Sequence, residues 1–366
     1  MAERQPKLNG QITNSAVIAV TGAGASAPLG LRTTYSFREL IEHEDWFLDG
    51  RPSFYATLSS LDATDNIDVE RVLDFMHECL EHYEALCRDP EFDSFFSAPG
   101  NPAEKFRERR EKVLDMMVAH YANVDAVRAS QIYGAFFDML RTTYSVRTLP
   151  IFTLNYDIAV EKAVETLPKT KLVDGVDTRL HEATWNPGVF QSYRAPTGKS
   201  GRLAVVLFKL HGSVSWVQRE GSQAIIRLPG VPRRTPNLRH VLQHPSAKYK
   251  ELGQEPYATG YRYLARCLRT AKVVLVVGCS FRDEELITEL KNGLAENPKL
   301  QICAVNRSKE TIENARSRGI PIQTGLAADF GSKSCIQLVE ILLRHYQKTG
   351  EPWPEQFIDQ RALTFQ

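Results

Sequence analysis

The strongest constraint on this chain is a repeated junction, in which a short apolar run ends abruptly in a small polar cluster. Ala16 to Val20 runs into Gly22-Ala23-Gly24-Ala25-Ser26. Leu149 to Phe152 runs into Thr153-Leu154-Asn155-Tyr156-Asp157, and Leu203 to Phe208 into Lys209-Leu210-His211-Gly212-Ser213. Apolar runs without alternation suit strands buried on both faces of a parallel sheet. Polar groups just past the carboxyl ends of such strands converge on one crevice, where open α/β sheets hold their ligands. The chain therefore offers a phosphate-binding turn, an Asn/Asp pair and a histidine to a single site of nucleotide size.

The pattern downstream agrees. Strand Leu149 to Thr153 leads to helix Ile158 to Leu167, and strand Leu203 to Lys209 to hairpin-like runs at Val214 to Gln218 and Ala224 to Leu228. Helix Tyr257 to Thr270, strand Lys272 to Val277, helix Asp283 to Ala295, strand Gln301 to Val305 and helices Lys309 to Arg318 and Ser334 to Tyr346 follow. This alternation predicts an α/β fold, a Rossmann-like parallel sheet of about six strands with helices on both faces. Between the first and second strands only helical spacing recurs, at Thr34 to Glu42, Ile67 to Cys87, Ala103 to Val124 and Ala129 to Thr142. Residues 33–147 are read as a helical insertion module, and 1–32 with 148–348 as the sheet domain. Residues 349–366 are read as a docking tail, because Trp353, Phe357, Ile358, Leu363 and Phe365 stand there among polar neighbours.

Composition narrows the function classes. A net charge of +1 over 366 residues gives no bulk attraction to nucleic acid or membrane. The basic stretches Arg107-Glu108-Arg109-Arg110 and Arg233-Arg234 are read as a solvated helix face and a loop. Met1 to Asn14 is polar and no apolar run approaches membrane-spanning length, so the expected location is the cytoplasm. The six cysteines (Cys79, Cys87, Cys267, Cys279, Cys303, Cys335) form no C-x-x-C pair. No metal site is expected from them, and Cys279 and Cys303 read as small buried hydrophobes at strands.

Each polar cluster has a plain structural reading beside a chemical one. Gly22-x-Gly24-x-x-Ala27 meets the dinucleotide fingerprint, whose glycines and helix-start amides receive a pyrophosphate. A dehydrogenase would then show a second strand ending in an acidic residue about 20 positions later. Leu31 to Gly50 instead reads as helix and loop, with Glu39, Glu42, Glu44 and Asp45, so the hydride-transfer architecture is missing. Asn155 and Asp157 suit a turn and a helix cap as well as a ligand. His211 stands at a strand end, between Leu210 and Gly212, a position that favours chemistry. Ser280 of Gly278-Cys279-Ser280 either binds phosphate or caps a helix, and Asn306 either caps the next helix or bonds a ribose hydroxyl.

Taken in order, the five strand ends resemble the sirtuin-like family, whose members read G-A-G-x-S, T-x-N-x-D, H-G, G-x-S and then a strand ending in Asn. The resemblance spans residue 16 to about residue 325. The chain departs from protein-deacetylating sirtuins in three ways. Only Cys267 lies between His211 and Gly278, so their four-cysteine zinc module is absent; Leu154 replaces the usual Gln; and Pro-Asp-Phe-Arg does not follow the first motif, although Arg32 lies nearby. The large helical insertion, with Asp68-Val69-Glu70-Arg71-Val72-Leu73 inside it, is similar instead to the bacterial sirtuin-like NAD hydrolases of anti-phage defence.

That resemblance implies NAD as substrate, cleaved to nicotinamide and ADP-ribose (cyclic in some members), in an abortive-infection response. Asn155 would hold the ribose and the attacking water, Asp157 the carboxamide, and His211 would accept a proton. Gly22, Ala23, Gly24, Ala25, Ser26, Thr153, Gly278 and Ser280 would form the nucleotide site. Ser26, the Ala25 amide and Ser280 would lie at its pyrophosphate and Asn306 at the adenosine ribose, with no metal. It also implies a homo-oligomer, for some members a HerA-type hexameric ATPase partner, and nucleic acid reached only through a partner. The alternatives are an NAD-dependent protein deacylase, or a non-catalytic subunit that senses NAD or ADP-ribose.

Overall fold

Valine-rich segments with no residue left for water form the centre of the structure. In the computed structural model, residues 8–42, 68–87, 102–179, 182–196, 201–228, 237–242, 253–351 and 356–359 are described. In chain order the strands are β1 (Val17–Thr21), β2 (Thr148–Thr153), β3 (Thr170–Val173), β4 (Val176–Asp177), β5 (Thr184–Trp185), β6 (Leu203–Lys209) and β7 (Gly212–Arg219). They continue with β8 (Ile225–Arg227), β9 (Leu238–Leu242), β10 (Val273–Val277), β11 (Gln301–Asn306), β12 (Thr324–Ala327) and β13 (Gln356–Asp359). Eight of them make one sheet in the order β13-β12-β11-β10-β1-β2-β6-β3, parallel at every pairing. The other five form an antiparallel sheet, β4-β5-β8-β7-β9.

Every residue of β1, β2, β6 and β10 is buried. Alternate residues go to opposite faces, as the strand period of two requires. Val17, Ala19, Leu149, Ile151, Val205, Leu207, Val273 and Leu275 pack on one face, with the helices Ala126–Thr143, Ala159–Thr166 and Lys333–Thr349. Ile18, Val20, Phe152, Val206, Phe208, Val274 and Val276 pack on the other, with Tyr257–Leu268, Glu284–Glu296 and Lys309–Ser317. Each fully buried aliphatic side chain stabilises the fold by about 1.5–3 kcal/mol, which makes these two layers the dominant favourable term.

A third cluster stands apart from the sheet. It joins Phe37 and Ile41 of the helix Thr34–Glu42, Val69 to Met76 of Val69–Cys87, and Val113, Met117 and Tyr121 of Pro102–Ala122. These three helices close over Tyr156, Val214 and Leu242, and so over the strand-end loops and the small sheet. The 126–143 helix does not join them; it begins where Asp125 caps the Val127 and Arg128 amides, and it lies on the large sheet.

The sheet has eight strands where the sequence pattern predicts about six. The additions are short and lie toward the edges. Thr170-Lys171-Leu172-Val173 carries a lysine and Thr324-Gly325-Leu326-Ala327 a glycine, so neither reads as a buried run. The expected tail contact is partly on the chain itself, since Gln356–Asp359 pairs with Thr324–Ala327 as the outermost strand. Trp353, Leu363 and Phe365 lie outside the described residues, as do Arg233, Arg234 and residues 43–67. Among the described residues, no helix is long and apolar enough to cross a membrane.

The order of strands locates the site. The chain enters at β1, fills β2, β6 and β3 on one side, then crosses to β10 and builds outward to β13 on the other. The direction of winding reverses between β1 and β10, and a crevice opens beyond the carboxyl ends at such a point.

Candidate active site

The loops after β1 and β10 are zipped together by backbone. Gly22 N donates to Val277 O at 2.9 Å, Gly24 N to Gly278 O at 2.9 Å, and Gly278 N to Val305 O at 2.8 Å. A Cβ on Gly24 would lie 2.8 Å from Gly278 Cα, and one on Gly278 only 2.1 Å from Ala25 N. Gly278 also has φ +60°, which disfavours side-chain-bearing residues. The glycines are thus needed to bring two backbones into contact with each other. Asn306 at the end of β11 ties in the third loop, donating from Nδ2 to Cys279 O at 3.0 Å and accepting from Ser308 N at 3.2 Å.

Asn155 faces this crossing from β2. Its Nδ2 donates to Gly22 O and to Ser26 Oγ, both at 3.1 Å. The carbonyl partner fixes which end of the amide carries the hydrogens, and both are used on protein. Only the Oδ1 acceptor is left to meet a ligand hydroxyl or a water. Asp157 is 5% exposed and accepts from Ala159 N at 2.9 Å through Oδ1, opening the next helix. Beneath them Lys209, at the end of β6, pairs with Glu161 at 3.0 Å and donates to the Asp157 carbonyl.

His211 follows β6 and meets a carboxylate from another strand end. Its Nε2 lies 2.8 Å from Asp283 Oδ2, and both side chains are nearly buried. Asp283 uses its other oxygen to cap the 284–296 helix at Leu286 N, 2.8 Å away. A carboxylate held in this way fixes the imidazole's orientation and leaves Nδ1 as its second nitrogen.

These residues line one cavity of about 620 Å³, within the ordinary range for small-molecule sites. The inserted helices supply its far wall. Asp68 accepts from Arg71 N at 3.0 Å as the cap of the 69–87 helix, from Thr34 Oγ1 at 3.3 Å, and pairs with Arg282 at 3.0 Å. Glu70, two residues on, accepts from the Tyr156 hydroxyl at 3.0 Å. Burial, and then the charge of Asp68, hold the Glu70 carboxyl above the usual carboxylate range. Among the described residues, seven carboxylates line the cavity (Asp68, Glu70, Asp74, Asp157, Asp283, Glu284, Glu285) against three guanidiniums (Arg32, Arg71, Arg282). Such a wall favours positive charge that develops in a bound ligand. The Arg32 guanidinium is engaged with Glu39 at 2.9 Å.

Of the residues singled out from sequence, Gly22, Ala23, Gly24, Ser26, Asn155, Asp157, His211, Gly278, Ser280 and Asn306 line this cavity. Ala25 and Thr153 do not. Ala25 is fully buried against the sheet and its amide is taken by Gly22 O at 2.9 Å, so it has no hydrogen to offer a phosphate. Thr153 is 3% exposed and its hydroxyl accepts from Asn155 N at 3.0 Å. Ser308, and not Asn306, caps the 309–317 helix. Sequence reasoning missed Asp283, Arg282 and Tyr121, and quoted Asp68 and Glu70 only as part of the insertion, without placing them in the site. The only signal for Asp283 is its place as a cap after the fourth strand end. Burial pushes the Cys279 thiol up to about 12, which keeps it protonated beside the site. Among the described residues, no cluster of His, Cys, Asp and Glu is arranged to hold a metal ion.

A family model described as a SIR2-like domain matches residues 150–320. Among solved structures, the chain is similar to a Sir2 homologue in complex with NAD, at 16% identity over 92% of each chain and a TM-score of 0.45. It is also similar to a mutant Sir2 homologue in complex with ADP-ribose, at 15% identity over 92% of this chain and 94% of that chain, with a TM-score of 0.46. No match was found among curated proteins.

Proposed function

We propose, for a chain that carries a SIR2-like domain over residues 150–320, that the cavity binds NAD and cleaves its nicotinamide–ribose bond, giving nicotinamide and ADP-ribose. One observation carries this reading. Asn155 and His211, from separate strand ends, line one acid-rich cavity together with the glycine loop.

The bond breaks with its electron pair going to the nicotinamide nitrogen, so the leaving group departs neutral and needs no proton. Positive charge appears on the ribose, as in glycosidic cleavage generally. The acidic wall stabilises that charge, and water completes the reaction at C1′. Asn155 accepts through Oδ1 from the ribose or the water. His211, oriented by Asp283, accepts a proton from a ribose hydroxyl or from water. The Ser26 and Ser280 hydroxyls, both in the cavity lining, receive the pyrophosphate. Unchecked turnover would deplete cellular NAD, the outcome expected of an anti-phage effector.

The test is nicotinamide release from NAD by the purified chain, with no acyl peptide present, beside His211→Ala and Asn155→Ala. Each variant is expected to lose at least about 10²-fold in turnover while keeping a folded far-UV spectrum. Wild-type cleavage by both variants would refute the mechanism. Turnover seen only with an acyl-lysine peptide would point to a deacylase.

A further inference from the structure

Two groups contributed by the inserted helices have no proton-transfer or water-holding task in the mechanism above. Glu70 lines the cavity from the first turn of the 69–87 helix and accepts through Oε1 from the Tyr156 hydroxyl at 3.0 Å. That hydroxyl belongs to the loop between Asn155 and Asp157, and its ring centroid lies 6.3 Å from that of His211. Asp68, the cap of the same helix, is anchored to Arg282 at 3.0 Å, so the helix start is fixed to the loop after β10. Tyr121, from the 102–122 helix, also lines the cavity. It is 5% exposed, and its hydroxyl has no hydrogen-bond partner among the described residues. A buried hydroxyl left without a partner is costly and usually marks a place for a ligand or water. After burial, the Glu70 charge is the foremost influence that pushes the Tyr121 hydroxyl pKa upward.

We propose that Glu70 is a catalytic residue of this site, whose carboxylate takes the proton from the attacking water while the Tyr121 hydroxyl holds that water from the other side. This rests on the hydrolase reading. The water oxygen bonds to ribose C1′ as the C1′–nicotinamide bond breaks. One water proton goes to Glu70 Oε2 and then to solvent, and no electron leaves or enters the system. His211 is left with the ribose hydroxyl. The raised Glu70 value suits a base, since proton affinity nearer the working pH strengthens the transfer.

The groups that bear on Glu70 are Asp68 on its own helix start, Tyr121 on the neighbouring helix, Tyr156 after β2, His211 after β6 and Arg282 after β10. Burial, and then Asp68, raise its value, whereas His211, Tyr156 and Arg282 lower it. The rate should therefore fall at acid pH, where Glu70 takes up a proton.

Glu70→Gln keeps an acceptor for Tyr156 and removes only the base. Its nicotinamide release is expected to fall at least about 10²-fold, with ADP-ribose binding by calorimetry unchanged. Azide, an anion that needs no base, should restore release in this variant and give ADP-ribosyl azide by mass spectrometry; it should not restore Asn155→Ala. The acid limb of the wild-type rate profile should disappear in Glu70→Gln, and Tyr121→Phe should lower turnover with binding retained. Turnover within about threefold of wild type in Glu70→Gln would overturn the proposal. A loss that azide does not relieve would make Glu70 a prop for the Tyr156 loop and overturn it too. If wild type itself releases no nicotinamide, the hydrolase reading fails first and takes this role with it.

Discussion

Replacing Lys209 by methionine tests the buried frame under the strand-end loops. The Lys209 side chain is 2% exposed and its ammonium lies 3.0 Å from Glu161, itself 11% exposed. The same ammonium donates to the Asp157 carbonyl. At this separation and an effective dielectric of about 20 the attraction is about 5.5 kcal/mol, most of it offset by desolvation of the two groups. Lys209→Met keeps length and volume but strands a carboxylate whose Oε2 already has no partner among the described residues. The variant can still fold by protonating Glu161. Holding a carboxyl of ordinary value about 4.3 neutral costs about 3.7 kcal/mol at pH 7 and about 1 kcal/mol at pH 5. The lost hydrogen bond to Asp157 adds about 1 kcal/mol at either pH. In the wild-type chain burial pushes the Glu161 carboxyl up and the Lys209 charge pulls it back. Without Lys209 most of that opposition is lost and only a backbone hydrogen bond still pulls the value down, so the variant's deficit is small below about pH 4.3 and grows as pH rises toward the folded-state value. Urea unfolding should show a loss of about 3–5 kcal/mol at pH 7 and about 2 kcal/mol at pH 5. Adding Glu161→Gln should recover most of the pH 7 loss. A deficit under about 1 kcal/mol at pH 7, one that does not shrink at pH 5, or no recovery in the double variant would refute the argument.

Gly24→Ala would place a methyl 2.8 Å from Gly278 Cα, a backbone atom that cannot turn aside. It should destabilise by about 1–3 kcal/mol and weaken ADP-ribose binding; an unchanged melting temperature with unchanged binding would contradict the close crossing. Asp283→Asn keeps an acceptor for Leu286 N but offers His211 Nε2 a donor in place of an acceptor, forcing the other tautomer. Turnover should fall at least about 10²-fold with little change in melting temperature, and wild-type turnover would remove Asp283 from the site.

How far the sequence reveals this architecture depends on the range of the interaction concerned. β1, β6 and β10 are legible because burial on both faces demands wholly apolar runs, and Val273–Val277 has no other reading. The junctions after them are legible because a parallel strand must hand over to polar residues at its end. β3 and β12 are not, since Thr170–Val173 and Thr324–Ala327 borrow their order from longer neighbours. The acid side of the site is not legible either. Glu70 meets Tyr156 across 86 residues and His211 meets Asp283 across 72. No local spacing encodes such pairs; the first exists only once the inserted helices pack over Tyr156 and Val214, and the second only once β6 and β10 stand in one sheet.

The plain and the chemical readings of the polar clusters also prove not to be rivals. At a strand-to-helix junction the cap residue must point its oxygen at the first helical amides, and those amides open onto the same crevice as the strand end. Asp157 opens the 159–166 helix through Oδ1 while lining the cavity. Asp283 divides its two oxygens between Leu286 N and His211 Nε2. Asn155 spends its two hydrogens on Gly22 and Ser26 and keeps one acceptor. Because each structural bond consumes one named atom, what remains is fixed in number and kind: an Asn oxygen, an imidazole nitrogen and a carboxylate oxygen. A site built from such remainders is rigid before any ligand arrives, and that rigidity is what stabilisation of a short-lived cationic ribose requires.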